Sequence, residues 1–480
     1  MSFISDAEIV AGVLNTFHED SVSARRPVIN QEPLELIVGR LGLADYVRDG
    51  GLTGESLTDF LNKYLATATS LYHPEYMGHQ VAVPHYSGAL ASLIDGFMAN
   101  PMAIYEMGPG ATSIEYFVIN WMLQKVGWQP APLNRARSAE NNAHGGGILT
   151  HGGSLANLTA LIVARNQVAP EAWELGVPND LVLLAPAAAH YSIARAAGIL
   201  GIGQNAICEL EVDARGAIIP EKLAVAYERV QNDGKRPMAV VANACQTAVG
   251  IYDPLKEIGE FCNDHHVWLH VDGAHGASAL LSDKYRHYLE GVERADSLAW
   301  DAHKMLRTPA VCAALLVRDD RTLDTAFQQQ ASYLFHDKEQ PGIDLGHRTF
   351  ECTKAALGLR LFMVLGALGE RGLADYVERE YDLTLQAYEY IYAQGDFECA
   401  VRPESNILCF RIAGSDQKQL RIRDALIAQG RFYLSSTSFR GRRYLRMVIM
   451  NPETRLEHVR HLVEKIRQIA EIVDAEQGMR

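Results

Sequence analysis

Positive charge is scarce in this 480-residue chain, where 44 Lys and Arg face 58 Asp and Glu for a net charge of -14. Nucleic acids and anionic membrane surfaces reward clustered Lys and Arg, so neither is expected as a partner and a small-molecule ligand is. Cysteine is neither paired nor clustered. The seven, Cys208, Cys245, Cys262, Cys312, Cys352, Cys399 and Cys409, form no C-x-x-C and are odd in number. That pattern excludes a disulfide framework and a structural metal site, and fits a reducing compartment. Long apolar runs are missing too, none approaching the roughly 20 residues of a membrane helix. The opening M-S-F-I-S-D-A-E-I-V has no basic segment followed by an apolar one, so a cytoplasmic protein with no membrane partner is expected.

What is present is ample apolar material, 48% of residues, in a chain longer than one core usually serves, so cooperating lobes are expected. Residues 1–85 read as helical: E-P-L-E-L-I-V-G-R-L and L-T-D-F-L-N-K-Y-L space their apolar residues by three and four, with Ser56 or Thr58 as a cap. So thin a segment must lie on something else. From about 145 to 320, short apolar runs alternate with helical patterns, which predicts an α/β sheet. Seven strands are expected, at 148–150, 181–185, 206–210, 239–243, 268–272, 297–301 and 312–318. No repeat or low-complexity stretch interrupts them. Beyond 356 a long helical pattern leads into a smaller lobe with strands at 406–412 and 444–450 and a closing helix from Leu456. The expected divisions are thus 1–85, a large domain 86–355 and a small domain 356–480.

The most informative stretch runs from Trp268 to Lys304. An apolar strand closes W-L-H-V-D at Asp272, G-A-H-G follows, and A-D-S-L-A-W-D-A-H-K places Lys304 at the end of another strand 32 residues on. A strand–loop–strand unit can bring the two together, and the pair suits pyridoxal phosphate. That cofactor needs a lysine amine to hold its aldehyde and a carboxylate to keep its ring nitrogen protonated. Taken alone, an Asp at a strand end is most often a turn residue, and a Lys beside a His is usually solvated. Upstream, T-H-G-G-S-L-A-N (150–157) joins a strand to a helix. Its small residues free backbone N–H groups at a helix N-terminus, where a phosphate can sit, with Gly152, Gly153 and Ser154 as the cradle.

His-Val-Asp-Gly-Ala and Asp-Ala-His-Lys resemble the two signature segments of the group II pyridoxal-phosphate amino-acid decarboxylases, a family that includes glutamate, cysteine-sulfinate, aromatic amino-acid and diaminobutyrate decarboxylases. The resemblance runs from about His73 to Asn451. It implies a fold-type I α/β architecture with a mostly parallel seven-stranded sheet, pyridoxal 5'-phosphate as cofactor, and a homodimer against whose partner subunit the N-terminal helices pack. A-H-Y-S resembles the family's Ala-His-x-Ser, whose histidine, here His190, covers the cofactor ring. Thr247 keeps a threonine that contacts cofactor or substrate, while Cys245 and Gln246 depart from the usual Gly-Thr. Ala274 stays small beside the ring, and His275 replaces an aromatic. His303 resembles the histidine that contacts the phosphate. Y-L-F (333–335) is similar to the mobile-loop segment of the glutamate branch and makes Tyr333 the expected proton donor. Arg446, in Y-L-R-M-V-I-M-N-P, resembles the arginine that meets a substrate carboxylate with its planar fork. His79, in H-P-E-Y-M-G-H-Q, and Asn100 are further expected substrate contacts.

The function these residues imply is α-decarboxylation of a small acidic amino acid such as glutamate, aspartate or cysteine sulfinate. Tyr-Glu-x-x-Pro at 105–109 and Tyr-Leu-Phe favour that branch. Diamino or aromatic substrates are the alternative that His79, Gln246 and His275 leave open. Retention of Tyr333 argues against a decarboxylating aldehyde synthase. The presence of Asp272, His303 and Lys304 together argues against a catalytically silent scaffold.

Overall fold

The computed structural model describes residues 2–133, 143–327 and 342–478. In chain order the helices are α1 (Phe3–Val22), α2 (Leu34–Leu41), α3 (Leu43–Asp49), α4 (Gly54–Ala66), α5 (Tyr86–Met98), α6 (Pro109–Val126), α7 (Gly153–Val168), α8 (Ala172–Leu175), α9 (Tyr191–Ile199), α10 (Leu223–Asn232), α11 (Leu255–His265), α12 (Arg321–Asp324), α13 (Leu357–Tyr392), α14 (Asp416–Ala428) and α15 (Leu456–Gly478). The strands are β1 (Gly146–Thr150), β2 (Leu181–Pro186), β3 (Ile207–Leu210), β4 (Arg236–Asn243), β5 (Trp268–Asp272), β6 (Ser297–Asp301), β7 (Ala313–Val317), β8 (Phe397–Cys399), β9 (Ile407–Ile412), β10 (Ser435–Phe439) and β11 (Arg442–Val448). Two compact units result, Pro84–Arg379 and Met1–Val83 with Glu380–Arg480.

The larger unit holds a seven-stranded sheet in the order β1-β7-β6-β5-β4-β2-β3. Only β7 runs against its neighbours, so all six other strands point their C-terminal ends to one edge. Strands β2, β6 and β7 are buried along their whole length, as a sheet covered on both faces requires. Helix α7 is buried on nearly every side, and its Ala160, Leu161 and Val163 share a core with Leu183, Val241, Ala299 and Leu315 of the strands. A helix that is apolar all round belongs in a core. This one therefore presents its N-terminus to the sheet's C-terminal edge, the edge where open α/β sheets bind ligands.

The smaller unit carries the antiparallel sheet β10-β11-β9-β8, with Phe410, Leu445 and Met447 packed on Val459, Leu462 and Ile466 of α15. Its N-terminal part is helical as read, with one correction. Helix α4 begins at Gly54 with Thr53 as its cap residue, so Ser56 and Thr58 lie inside the first turns. The first N–H group, on Gly54, instead donates to Asp6 Oδ1 at 3.1 Å. A carboxylate 48 residues away thus does what a local hydroxyl was expected to do.

Candidate active site

At the C-terminal edge of the large sheet, the turns after β1, β2, β4, β5 and β6 close around a cavity of about 300 Å³. Its lining includes Gly152, Gly153, Ser154, His190, Thr247, Asp272, Ala274, His303 and Lys304. Strand register explains the convergence. Asn243 pairs with Asp272, and Asp272 with Ala299, so the last residues of β4 and β5 and the end of β6 fall on one line.

The cradle forms at the start of α7. Gly152 has φ 105° and ψ 156°, a conformation that glycine tolerates and L side chains resist. No side chain caps this helix, and the first-turn N–H groups of a helix have no partner within it. The strand that feeds the turn is clamped from behind by a buried ion pair. Lys354 joins Glu115 and donates to Leu149 O at 2.6 Å, while Glu115 Oε1 accepts from Leu149 N at 2.9 Å.

Asp272 is 6% exposed and held on both oxygens. Oδ2 accepts from Asn157 Nδ2 at 2.9 Å and Oδ1 from Ala274 N at 3.2 Å. Asn157 Oδ1 lies 3.0 Å from His270 Nε2, and His270 Nδ1 lies 2.9 Å from Ser297 Oγ. Because Asn157 spends its amide protons on Asp272 and Ser192, its oxygen must accept, which puts the His270 proton on Nε2. Burial pushes the His270 imidazole down to about 4 against the pull of Asp272, so the ring is neutral, as this tautomer requires.

His190 caps α9. Its Nδ1 accepts from Ser192 N at 3.3 Å and lies 2.8 Å from Ser192 Oγ. Burial lowers its affinity for a proton, opposed by Asp272. The neutral ring therefore carries its hydrogen on Nε2. Lys304 Nζ lies 3.1 Å from Asp301 Oδ2, with His303 Nε2 3.6 Å from the same oxygen. An amine, a fixed carboxylate and an uncapped helix N-terminus in one cavity are the donor set that an aldehyde-bearing phosphate ester with a basic ring nitrogen requires, so the residues fit pyridoxal phosphate.

A family model described as the pyridoxal-dependent decarboxylase conserved domain matches residues 50–413. The chain belongs to that family. Its cofactor is pyridoxal 5'-phosphate, and it is a carboxy-lyase acting on amino acids. It is 29% identical over 441 residues to the acidic amino acid decarboxylase of Homo sapiens, covering 88% of this chain and 82% of that protein. With the cysteine sulfinic acid decarboxylase of Rattus norvegicus it shares 34% over 311 residues, 64% of this chain and 60% of that protein. The crystal structure of mouse CSAD superposes with a TM-score of 0.88 at 25% identity, over 98% of this chain and 99% of that one. The fold-type I α/β architecture is thus confirmed.

The remaining expected residues are Tyr333, Asn100, His79 and Arg446. Tyr333 falls outside the described residues. Asn100 follows α5 and is not part of the cavity lining. His79 and Arg446 belong to the smaller unit, where His79 Nε2 lies 2.8 Å from Tyr433 Oη and Arg446 donates to Gln80 Oε1 at 2.9 Å. Of the two departures at 245 and 246, Cys245 lines the cavity. Gln246 is buried and donates instead to Gly216 O at 2.7 Å. His275 also lines the cavity. Sequence reasoning passed over Asn157, His270 and Asp301. Asn157 did carry a signal, standing one helical turn after Ser154 and so on the same face of the helix.

Proposed function

We propose that this decarboxylase removes the α-carboxylate of a small acidic amino acid and returns the amine, acting as a cytoplasmic homodimer. The observation that carries the reading is the gathering of the Gly-Gly-Ser turn, His190, Asp272 and Lys304 in one cavity. Gly152, Gly153, Ser154 and His303 would take the phosphate, Lys304 the aldehyde, and Thr247 and Ala274 the flanks of the ring. When bound, pyridoxal phosphate supplies the electron sink into which the bond to CO₂ breaks.

The chain's own groups then divide the work. Asp272, fixed by Asn157 and the Ala274 N–H, holds its two oxygens in place for a cationic ring nitrogen. His190, neutral and locked with its hydrogen on Nε2, offers a flat face and one donor for orienting the substrate. Tyr333 is the residue we assign to returning a proton to the α-carbon, and Arg446 to a substrate carboxylate, with His79 and Asn100 as lesser contacts. The acidic substrate class is supported by the names of the relatives and by Arg446, which is 6% exposed and keeps its guanidinium among polar partners. The homodimer is supported by apolar surface left open on helices: Leu34, Leu36 and Val47 on α2 and α3, and Leu93, Phe97 and Met98 on α5 are all exposed. Among the described residues no helix is long and apolar enough to cross a membrane.

The test is CO₂ release from the cofactor-loaded protein across the common amino acids and cysteine sulfinate. Turnover of aspartate, glutamate or cysteine sulfinate at least about tenfold above the rest is expected, the discrimination a well-placed charged contact supplies. Preference for a diamino or aromatic acid would contradict the substrate class while leaving the cofactor chemistry intact.

A further inference from the structure

Asp301 ends β6 three residues before Lys304 and is 2% exposed. Its two oxygens have different surroundings. Oδ2 faces Lys304 Nζ at 3.1 Å and His303 Nε2 at 3.6 Å. Oδ1 is buried and has no hydrogen-bond partner among the described residues. A Cβ built on Gly153 would sit 2.6 Å from Oδ1, so this bare oxygen stands against the first residue of α7. That is the helix N-terminus where unpartnered N–H groups and the macrodipole favour an anion. A buried carboxylate oxygen without a partner is costly, and one beside an anion cradle carries the wrong charge for it.

On the reading of this cavity as the cofactor site, the anion that enters is a phosphate monoester. Its second ionisation lies near pH 6, so above neutrality it arrives with close to two negative charges. Two unprotonated oxygens cannot approach within hydrogen-bond distance without strong repulsion, whereas one proton between them makes a short charge-assisted bond. We propose that Asp301 and the cofactor phosphate share one proton, so that cofactor uptake above neutrality draws a proton from solvent and Asp301 sets the pH dependence of cofactor retention. The groups that face Asp301 are few. Lys304 and His303 lie on its own segment, the α7 N-terminus stands opposite, and His190 after β2 and Cys312 before β7 both feel its charge. None of these lies between Oδ1 and Gly153, so the proton in question is held by the carboxyl and the phosphate.

The experiment titrates the full-length apoprotein calorimetrically at pH 8 in two buffers of different ionisation enthalpy. Pyridoxal phosphate is compared with pyridoxal, which offers the same aldehyde to Lys304 without a phosphate. The buffer dependence of the heat counts protons taken up. Pyridoxal phosphate should take up about one proton more than pyridoxal, and in Asp301→Asn, whose amide donates without a proton, that excess should vanish. Between pH 7 and pH 9 the affinity of the native protein for pyridoxal phosphate should fall about tenfold per pH unit more steeply than that of the variant. Equal proton counts for the two ligands in the native protein would overturn the proposal even if the variant failed to fold. So would an excess that survives in Asp301→Asn. Failure of pyridoxal phosphate to bind at any pH would instead overturn the cofactor reading of the cavity, and is told apart by the absence of a visible absorbance band.

Discussion

The neighbouring strands β5 and β6 both end in a buried aspartate, and the two could hardly be treated more differently. Asp272 has each oxygen engaged, with Asn157 behind it and neutral His270 behind Asn157. Asp301 has one oxygen against a lysine and a histidine, and the other without a hydrogen-bond partner among the described residues. One carboxylate is built to stay in a constant place. The other leaves a buried oxygen beside the first residue of α7, where we place the cofactor phosphate. A strand-end Asp therefore says little about its role until its hydrogen bonds are counted, since bonds to the charged form hold that form and an orphaned oxygen invites a proton or a ligand.

Removing the amine that faces Asp301 should have the largest effect. Lys304→Ala should lose covalent cofactor attachment and drop CO₂ release by roughly four or more orders of magnitude, measured by absorbance and by trapped CO₂. Next, Asp272→Asn should keep the cofactor but lower turnover by about 10²- to 10⁴-fold, the range seen when a preorganised charge is removed from a buried site. A change in the pH dependence of cofactor binding, with turnover nearly intact, would mean that the two aspartates had been assigned the wrong way round. Asn157→Ala sharpens the comparison, because it strips Asp272 of a donor without touching its charge. It leaves Asp272 and His270 each short of a partner, and should cost about 1–3 kcal/mol in denaturant unfolding and lower kcat more than it raises KM. The smallest effect concerns pH. The His270 pKa is lowered to about 4 in the folded chain from an ordinary 6.5, so its contribution to stability is complete above pH 6.5 and is lost as pH falls toward 4. Buried Asp253, pushed up to about 6, acts in the opposite sense, so the comparison must be made against a variant. Acidification from pH 7.5 to 5.5 should destabilise the native protein by roughly 1 kcal/mol more than His270→Gln, read from thermal unfolding at the two pH values.

Much of this architecture was legible in the sequence, for a physical reason. Buried parallel strands read as short apolar runs between turn residues, and all seven strands of the large sheet lie within two or three residues of where those runs placed them. The Gly-Gly-Ser turn, Asp272 and Lys304 stand at strand ends, where a run of one character stops. Strand β10, S-S-T-S-F, has no such run, because it pairs with β11 alone at the edge of the small sheet, and it was not foreseen. Asp301 and His270 were hidden for a different reason. His270 sits inside an apolar run and Asp301 closes one, and the meaning of each comes from atoms more than a hundred residues away: Gly153 for Asp301, Asn157 for His270. The misplaced cap of α4 has the same origin, with Asp6 supplying what no neighbour does. Gln246 shows the converse. As a departure from the family pattern it left the substrate class open, yet its side chain turns away to Gly216.

The measurement that bears most directly on this account is borohydride reduction of the cofactor-loaded protein, followed by proteolysis and mapping of the pyridoxyl label. One labelled peptide is expected, carrying Lys304 from the turn after β6, and none when the same treatment is applied to Lys304→Ala. A label on any other lysine, or one that persists in Lys304→Ala, would contradict it.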